Sequence, residues 1–237
     1  MAGQRLIGEL TRGDPVLTDG AWGTELQRRG LEPGEMPDAW NLSHPDRVEA
    51  VARPYAEAGS RIVLTNTFRA NRIAFAGHAD VDRIAAINRA GVEISKRAAG
   101  DEALVFASIG PSGKQLITRE VTEAQLAASG VDVVGANCGT GVADYVPTCA
   151  RLAAATALPI WIKPNAGIPQ LVTGEVVYQM TAEEFAGFLP KLEEAGASFV
   201  GGCCGTDPSF IAALRQRLAP WDESPVGEEA RHDTDGR

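Results

Sequence analysis

Along this chain, six short apolar runs alternate with five longer stretches of helical period. The runs are PVLTD (15–19), RIVLT (61–65), ALVFAS (103–108), VDVVGAN (131–137), PIWIK (159–163) and ASFVGG (197–202). They are β-branched or apolar over most of their length, the pattern of strands buried on both faces of a parallel sheet. Residues 45–59, 80–100, 143–157, 181–196 and 207–219 repeat apolar positions every three or four residues, which predicts helices. Several of these open on Ser, Thr or Asp and end in Gly, the residues that cap helix ends. Pro54, Pro147 and Pro190 fall inside three of them, where a ring without an N–H kinks a helix or confines it to its first turn. The alternation predicts a parallel α/β fold. A barrel and a doubly wound open sheet share this local signature.

Polar, glycine-rich sequence follows every run: DGAWGTEL, NTFRANR, IGPSGKQ, NCGTG, PNAG and CCGTDP. Loops at the C-terminal ends of parallel strands are where such folds assemble binding sites. Candidate chemistry is therefore sought on that rim.

With 237 residues and 44% hydrophobic content the chain can build one large core, expected over residues 1–220. Residues 221–237, acidic and broken by Pro225 and Gly227, read as a disordered tail. A net charge of -9 argues against nucleic acid as a partner, because phosphate neutralisation needs clustered Lys and Arg. No stretch has the apolar length of a membrane span and the N-terminal residues lack a signal-peptide core, so no membrane association and a cytoplasmic location are expected. In a reducing compartment, Cys138, Cys149, Cys203 and Cys204 are metal ligands, nucleophiles or buried thiols rather than disulfides.

Cys138 follows one predicted strand, and Cys203 with Cys204 another, so three thiols can meet on one rim. Neighbouring residues of a regular strand face opposite sides, and Gly201, Gly202 and Gly205 permit the turn that brings both cysteines to one metal. Three soft ligands suit Zn²⁺, leaving a tetrahedral position open for a substrate. The competing reading is three buried small hydrophobes, since free Cys is among the most buried residue types. That reading is preferred for Cys149, which lies inside a helical segment. His44, His78 and His232 fall at a helix entry, in a loop and in the tail, and are not expected to ligate. A zinc ion with thiolate ligands and an open position suits activation of a thiol for alkyl transfer.

The stretches DGAWGTELQRRG, WNLSHPDRVEAVARPYAEAGSRIVLTNTF, SIGPSGK, VDVVGANCG, IKPNAGIPQ and GGCCGTDPSFIAAL together resemble the homocysteine S-methyltransferases, from about residue 15 to 218. That family includes betaine- and S-methylmethionine-dependent enzymes and the N-terminal module of cobalamin-dependent methionine synthase. The resemblance implies a TIM-barrel-like (β/α) fold, zinc held by Cys138, Cys203 and Cys204, and methyl transfer to homocysteine to give methionine. It also implies contacts from Asp19 and Gly20 to the amino-acid end of homocysteine. Asn66, Thr67 and Phe68 either line the pocket or serve as turn and cap residues. Asn137 either hydrogen-bonds the substrate sulfur or closes its loop. Lys163 and Asn165 stand on the same rim, with a turn locked by Pro164 and Gly167 as the plainer account. Trp22 and Glu25 face the pocket or begin a helix.

One departure matters. QLITREVTEAQLAASG alone spans a gap that holds roughly two strand–helix units in the family, so the barrel is expected to be shortened to about six β/α units by an internal deletion. A glutamate that helps hold the substrate ammonium is lost with it, leaving Asp19 alone or Glu25, Glu120 or another carboxylate to substitute. Exposed strand edges would make a homo-oligomer one way to cover the sheet. The methyl donor is expected to be a small sulfonium or ammonium compound or a separate methyl-corrinoid protein. A non-catalytic zinc- or thiol-binding protein of the same descent, and a phosphate-binding barrel enzyme, are the alternatives.

Overall fold

A computed structural model describes residues 2–72, 74–110 and 132–218. The six expected strands are all present: β1 (Val16–Leu17), β2 (Ile62–Leu64), β3 (Leu104–Phe106), β4 (Val134–Cys138), β5 (Ile160–Pro164) and, after the two strands of a hairpin, β8 (Ala197–Val200). β1, β8, β5 and β4 form one parallel ladder in that order, and β2 pairs with β3 in another. A parallel bridge from Thr18 to Ile62 joins the two. The spatial order is therefore β3-β2-β1-β8-β5-β4.

The sheet curls on itself. Leu104 and Phe106 of β3 share one cluster with Val16, Ile62, Phe199, Trp161 and Val133, the last standing just before β4. The Phe106 ring lies edge-on to Trp161, with centroids 6.1 Å apart. β3 and β5 stand far apart in the pairing order, so these rings meet across the concave side of the curled sheet. Among the described residues no ladder joins β3 to β4, and the segment expected to intervene, 111–131, lies outside them, as does the tail at 221–237. The described residues thus form an α/β fold around a curled parallel sheet.

Helices cover the outer face. Strand alternation sends Ile160 and Ile162 of β5 outward into a large cluster with Tyr55, Val142, Leu152, Phe185, Leu192 and Phe210, while Trp161 points inward. The helices are α1 (Ala2–Leu10), α2 (Gly23–Arg28), α3 (Trp40–Ser43), α4 (Pro45–Glu57), α5 (Ile84–Ala99), α6 (Val142–Ala155), α7 (Ala182–Ala186), α8 (Leu189–Glu194) and α9 (Pro208–Arg217). Pro190 splits the expected 181–196 helix, as its missing N–H requires, and stands in the first turn of α8. Pro54 and Pro147 are instead carried inside α4 and α6. Thr181 opens α7 with a complete capping box to Glu184, and Asp207 caps α9.

Helix α1, the short helix α3 and a hairpin were not expected from the sequence. α1 packs Leu6, Ile7 and Leu10 against the interior cluster and floors the barrel opposite the loop rim. β6 (Gln170–Val172) and β7 (Glu175–Val177) form an antiparallel hairpin directly after β5. Its turn residues Thr173 and Gly174 both have positive φ (50° and 89°), the requirement of a type I′ turn.

Phe199 is fully buried where the interior rings meet, 5.3 Å from Trp161. Phe199→Ala is expected to cost about 3–5 kcal/mol, the usual range for emptying a buried aromatic site. A shift in the denaturation midpoint under urea checks it.

Candidate metal centre

The end of β4 and the loop after β8 deliver three cysteines to one place. β5 separates those strands and pairs with both, and its own end ties their loops together. Asn165 N donates to Cys138 O (3.2 Å), Ala166 N to Cys204 O (3.0 Å) and Cys203 N to Pro164 O (2.8 Å). Thr206 closes the cysteine turn by donating from N and Oγ1 to Cys203 O (3.0 and 2.7 Å). Its own carbonyl and hydroxyl oxygens both accept from Ala21 N in the DGA loop, and its carbonyl accepts also from Tyr55 Oη. Gly20 packs between Tyr55 and Thr206, so the first loop of the barrel braces the last.

Local backbone chemistry makes this arrangement possible. Gly205 adopts φ 84°, and a Cβ there would strike the Tyr178 ring. At Gly202 the requirement is closeness rather than torsion, since a Cβ would run into Thr206. Cys138 is one of two non-glycine residues with positive φ among those described, at 70°. A residue held in that region costs about 1 kcal/mol or more and persists where its surroundings demand it. The strain turns the Cys138 thiol toward the other two.

The Sγ atoms of Cys138, Cys203 and Cys204 all lie within 4.8 Å of one another, and those of Cys138 and Cys203 are 3.1 Å apart. Two thiolates on one tetrahedral zinc ion stand about 3.8 Å apart, from Zn–S bonds of about 2.3 Å. The cluster therefore matches a three-thiolate site in size as well as in donor chemistry. The thiols share their protons: hydrogen bonds from Cys138 and Cys204, burial notwithstanding, hold Cys203 well below the ordinary thiol range, helped by the Lys163 charge and Asn137. The bond to Cys203 pushes Cys138 well above it.

The other predicted residues sort clearly. Asn137 Nδ2 reaches the sulfurs of Cys138 (3.3 Å) and Cys203 (3.8 Å). Asp19 is wholly buried: Oδ1 is paired with Lys163 Nζ, while Oδ2 accepts from Trp22 Nε1 (2.7 Å) and Leu64 N (2.8 Å). Thr67 is buried in its own loop, with its hydroxyl bonded to Thr65 and donating to Ser108 O, and Asn66 is held by Pro37 O and Asn41. Phe68 is half exposed and lies on Gly110. Glu25 is neutralised by Arg28 and Arg29 at the start of α2. Glu120 and His232 lie outside the described residues. His44 stands at the start of α4 with its ring on Trp40 and Ser43, and His78 packs on Phe75, neither at the thiols.

Two tyrosines at the site escaped the sequence reading. Tyr178, just past β7, packs its ring on Gly205 next to Cys204, and burial pushes its hydroxyl up to about 12. Tyr145 of α6 packs on Gly139 beside Cys138. The signal for Tyr178 was the Thr-Gly turn between alternating residues, which marks a hairpin ending on this rim.

Cys149 is buried in α6 against Leu192 O and Ala195 O, and burial pushes its thiol up to about 11. At pH 8 only about one part in a thousand of such a thiol is ionised. Alkylation of the folded, metal-free protein is therefore expected at the rim cysteines, with Cys149 labelled only after denaturation, as mass spectrometry of the peptides would report.

A sequence model described as homocysteine S-methyltransferase matches residues 16–127 and 117–218. The chain belongs to the homocysteine S-methyltransferase family. Among curated members of this family's kin, the methionine synthase of Mycobacterium leprae is 27% identical over 309 residues, covering 92% of this chain and 26% of its own length. The homocysteine S-methyltransferase of Escherichia coli is 23% identical over 302 residues, covering 88% and 96%. The chain thus spans about a quarter of the mycobacterial methionine synthases it matches. The metallated form of the Escherichia coli homocysteine methyltransferase MmuM has the same fold, with a TM-score of 0.69 at 21% identity, covering 89% of this chain and 99% of that one. An alignment of 302 positions exceeds the 237 residues available, so this family member lacks a stretch that its relative has. The two matched segments overlap at 117–127, inside the stretch where the sequence led us to expect a shortening.

Proposed function

We propose that this chain transfers a methyl group to the thiol of homocysteine, forming methionine, with Zn²⁺ held by Cys138, Cys203 and Cys204. The observation that carries the reading is the meeting of these three thiols within 4.8 Å in a member of this family. Bound there, the ion would supply Lewis acidity that keeps a substrate thiol ionised at neutral pH. The substrate sulfur attacks the methyl carbon, the donor leaves with the bonding electron pair, and the thiol proton passes to solvent.

The chain's own groups act around that step. Asn137 Nδ2 donates toward the Cys138 and Cys203 sulfurs and fixes their orientation. Tyr178, at the end of the hairpin, packs its ring on Gly205 and backs the cysteine turn from that side. Asp19 acts as a positioning residue, since its oxygens are spent on Lys163, Trp22 and Leu64 N. Gly20 holds the cysteine turn through Thr206. Thr67 shapes its loop without touching the thiols.

The donor is a small sulfonium or ammonium compound or a methyl-corrinoid protein; the match to methionine synthases supports including the latter. No helix among the described residues is long and apolar enough to cross a membrane, and a cytoplasmic enzyme is part of the proposal. The test is to incubate zinc-loaded protein and homocysteine with S-methylmethionine, S-adenosylmethionine, betaine or methylcobalamin and to measure methionine. Formation from one donor is expected. Stoichiometric zinc with no methionine from any donor would support a non-catalytic zinc and thiol binder instead.

A further inference from the structure

The end of the sheet opposite the thiols holds a second concentration of charge. α9 ends at Arg217, and its last turn carries Arg215 and Arg217. Arg215 lies along Gly59, in the loop between α4 and β2. A Cβ at Gly59 would stand 3.1 Å from Arg215 Cγ and 3.2 Å from Cδ, so the missing side chain is what seats the arginine. Gly59 also adopts φ 102°, a conformation that other residues take only at a cost. Two positions on, Arg61 is fixed by its backbone, donating from N to Leu17 O (2.9 Å) and accepting at O from Leu104 N (2.8 Å). Arg61 and Arg215 line one small pocket together with Leu17, Gly59 and Leu218.

Such a pocket is a poor place for two cations. Burial, and after it the charge of Arg215, lowers the affinity of the Arg61 guanidinium for its proton. A guanidinium does not give up that proton in a protein, so the repulsion between the two is relieved by an anion held across both. Their planar, forked N–H groups suit a carboxylate. The chain brings carboxylates to this place. Leu218, where the described residues leave α9, is itself a wall of the pocket. Residues 221–237 carry six carboxylates, Asp222, Glu223, Glu228, Glu229, Asp233 and Asp235, against two arginines. Asp222 and Glu223 follow Leu218 by four and five positions, a span of at most about 13–18 Å, so the pocket is within their reach.

We propose that Asp222 and Glu223 fold back onto the Arg61–Arg215 pair, so that the acidic segment straps the end of α9 to the start of β2. Charge complementarity, and the point at which the chain leaves α9, favour this occupant over any other. α9 opens at Asp207, directly after the cysteine turn, and packs Phe210, Ile211 and Leu214 into the outer core. Fastening its far end therefore fixes the last β/α unit of the fold. The strap is independent of the methyl-transfer reading, since it lies at the other end of the sheet from Cys138, Cys203 and Cys204.

The test is urea denaturation of the full chain at low salt, as wild type, as the neutral variant Asp222→Asn, Glu223→Gln, as Arg215→Gln, and with all three substitutions together. The neutral variant and Arg215→Gln are each expected to raise the unfolding equilibrium constant roughly 10-fold, the lower end for hydrogen bonds to charged groups. The triple variant should lose no more than the worse of the two, because both remove one interaction. At 1 M salt the cost of the neutral variant should shrink. Phenylglyoxal, an arginine reagent, gives a readout that needs no arginine variant: the neutral variant should speed modification of Arg61 and Arg215 while leaving the exposed Arg217 unchanged. Zinc content and methionine formation should match wild type in the neutral variant, which separates the strap from the proposed function. Costs that multiply in the triple variant, or labelling of Arg61 and Arg215 that the neutral variant does not alter, overturn the strap. So does inorganic phosphate that raises the urea midpoint of wild type as much as that of the neutral variant, the behaviour of an open anion site. A dimer seen by light scattering that the neutral variant abolishes would place the segment on a second copy and overturn it as well.

Discussion

Cys203→Ala is expected to lose stoichiometric zinc and to lower methionine formation by at least about 10³-fold, since a metal contributes several kcal/mol of charge stabilisation and each 1.36 kcal/mol is tenfold in rate. Cys203 is the centre of the trio: its sulfur lies 3.1 Å from that of Cys138, it neighbours Cys204 in the chain, and Asn137 and Lys163 both act on it. Its loss leaves two soft ligands and an ill-defined third. Because the thiols lie at the rim and are half-buried rather than in the core, the fold should survive, and the circular-dichroism spectrum should match wild type. A parallel Cys149→Ala variant should keep full zinc content, although its buried thiol makes it the less stable of the two.

Lys163→Met should destabilise the protein by about 3–5 kcal/mol, the cost of stranding one member of a buried ion pair. Asp19 has no exposed surface, and the two remaining donors, Trp22 Nε1 and Leu64 N, are neutral. Adding Asp19→Asn to Lys163→Met removes the stranded charge and should recover most of that loss. Urea denaturation of wild type, the single and the double variant gives the coupling directly. A single variant as stable as wild type would mean that the pair does not hold the first and fifth strand ends together.

Much of the frame could be read from residue order alone. Strands buried on both faces are continuous apolar runs, so PIWIK and ASFVGG announced β5 and β8, and the thiols after two such runs announced their own meeting. What stayed hidden depends on contacts between distant residues. Lys163 and Asp19 are 144 positions apart, and nothing local in either loop shows that the ammonium neutralises the carboxylate expected to hold substrate. Glu25 is paired with Arg28 and Arg29, one helical turn on, and that i, i+3 and i, i+4 spacing is visible in the sequence itself. The hairpin has a local signature, QLV and EVV flanking a Thr-Gly pair. Its apolar residues Leu171 and Val176 stand exposed, so burial logic gave no help. Helix α1 carries a single short apolar face, Leu6, Ile7 and Leu10, whose burial depends on strand starts distant in the sequence.

The central claim is that three cysteines from two strand ends make one metal site that receives the substrate thiol. The most direct test is calorimetric titration of homocysteine into the same preparation before and after chelator stripping, with zinc quantified in both. One zinc per chain, homocysteine binding only to the loaded form, and restoration on adding zinc back are the results expected. Equal homocysteine binding with and without zinc, or retention of a full equivalent of zinc by a Cys138→Ala, Cys203→Ala, Cys204→Ala triple variant, would contradict it.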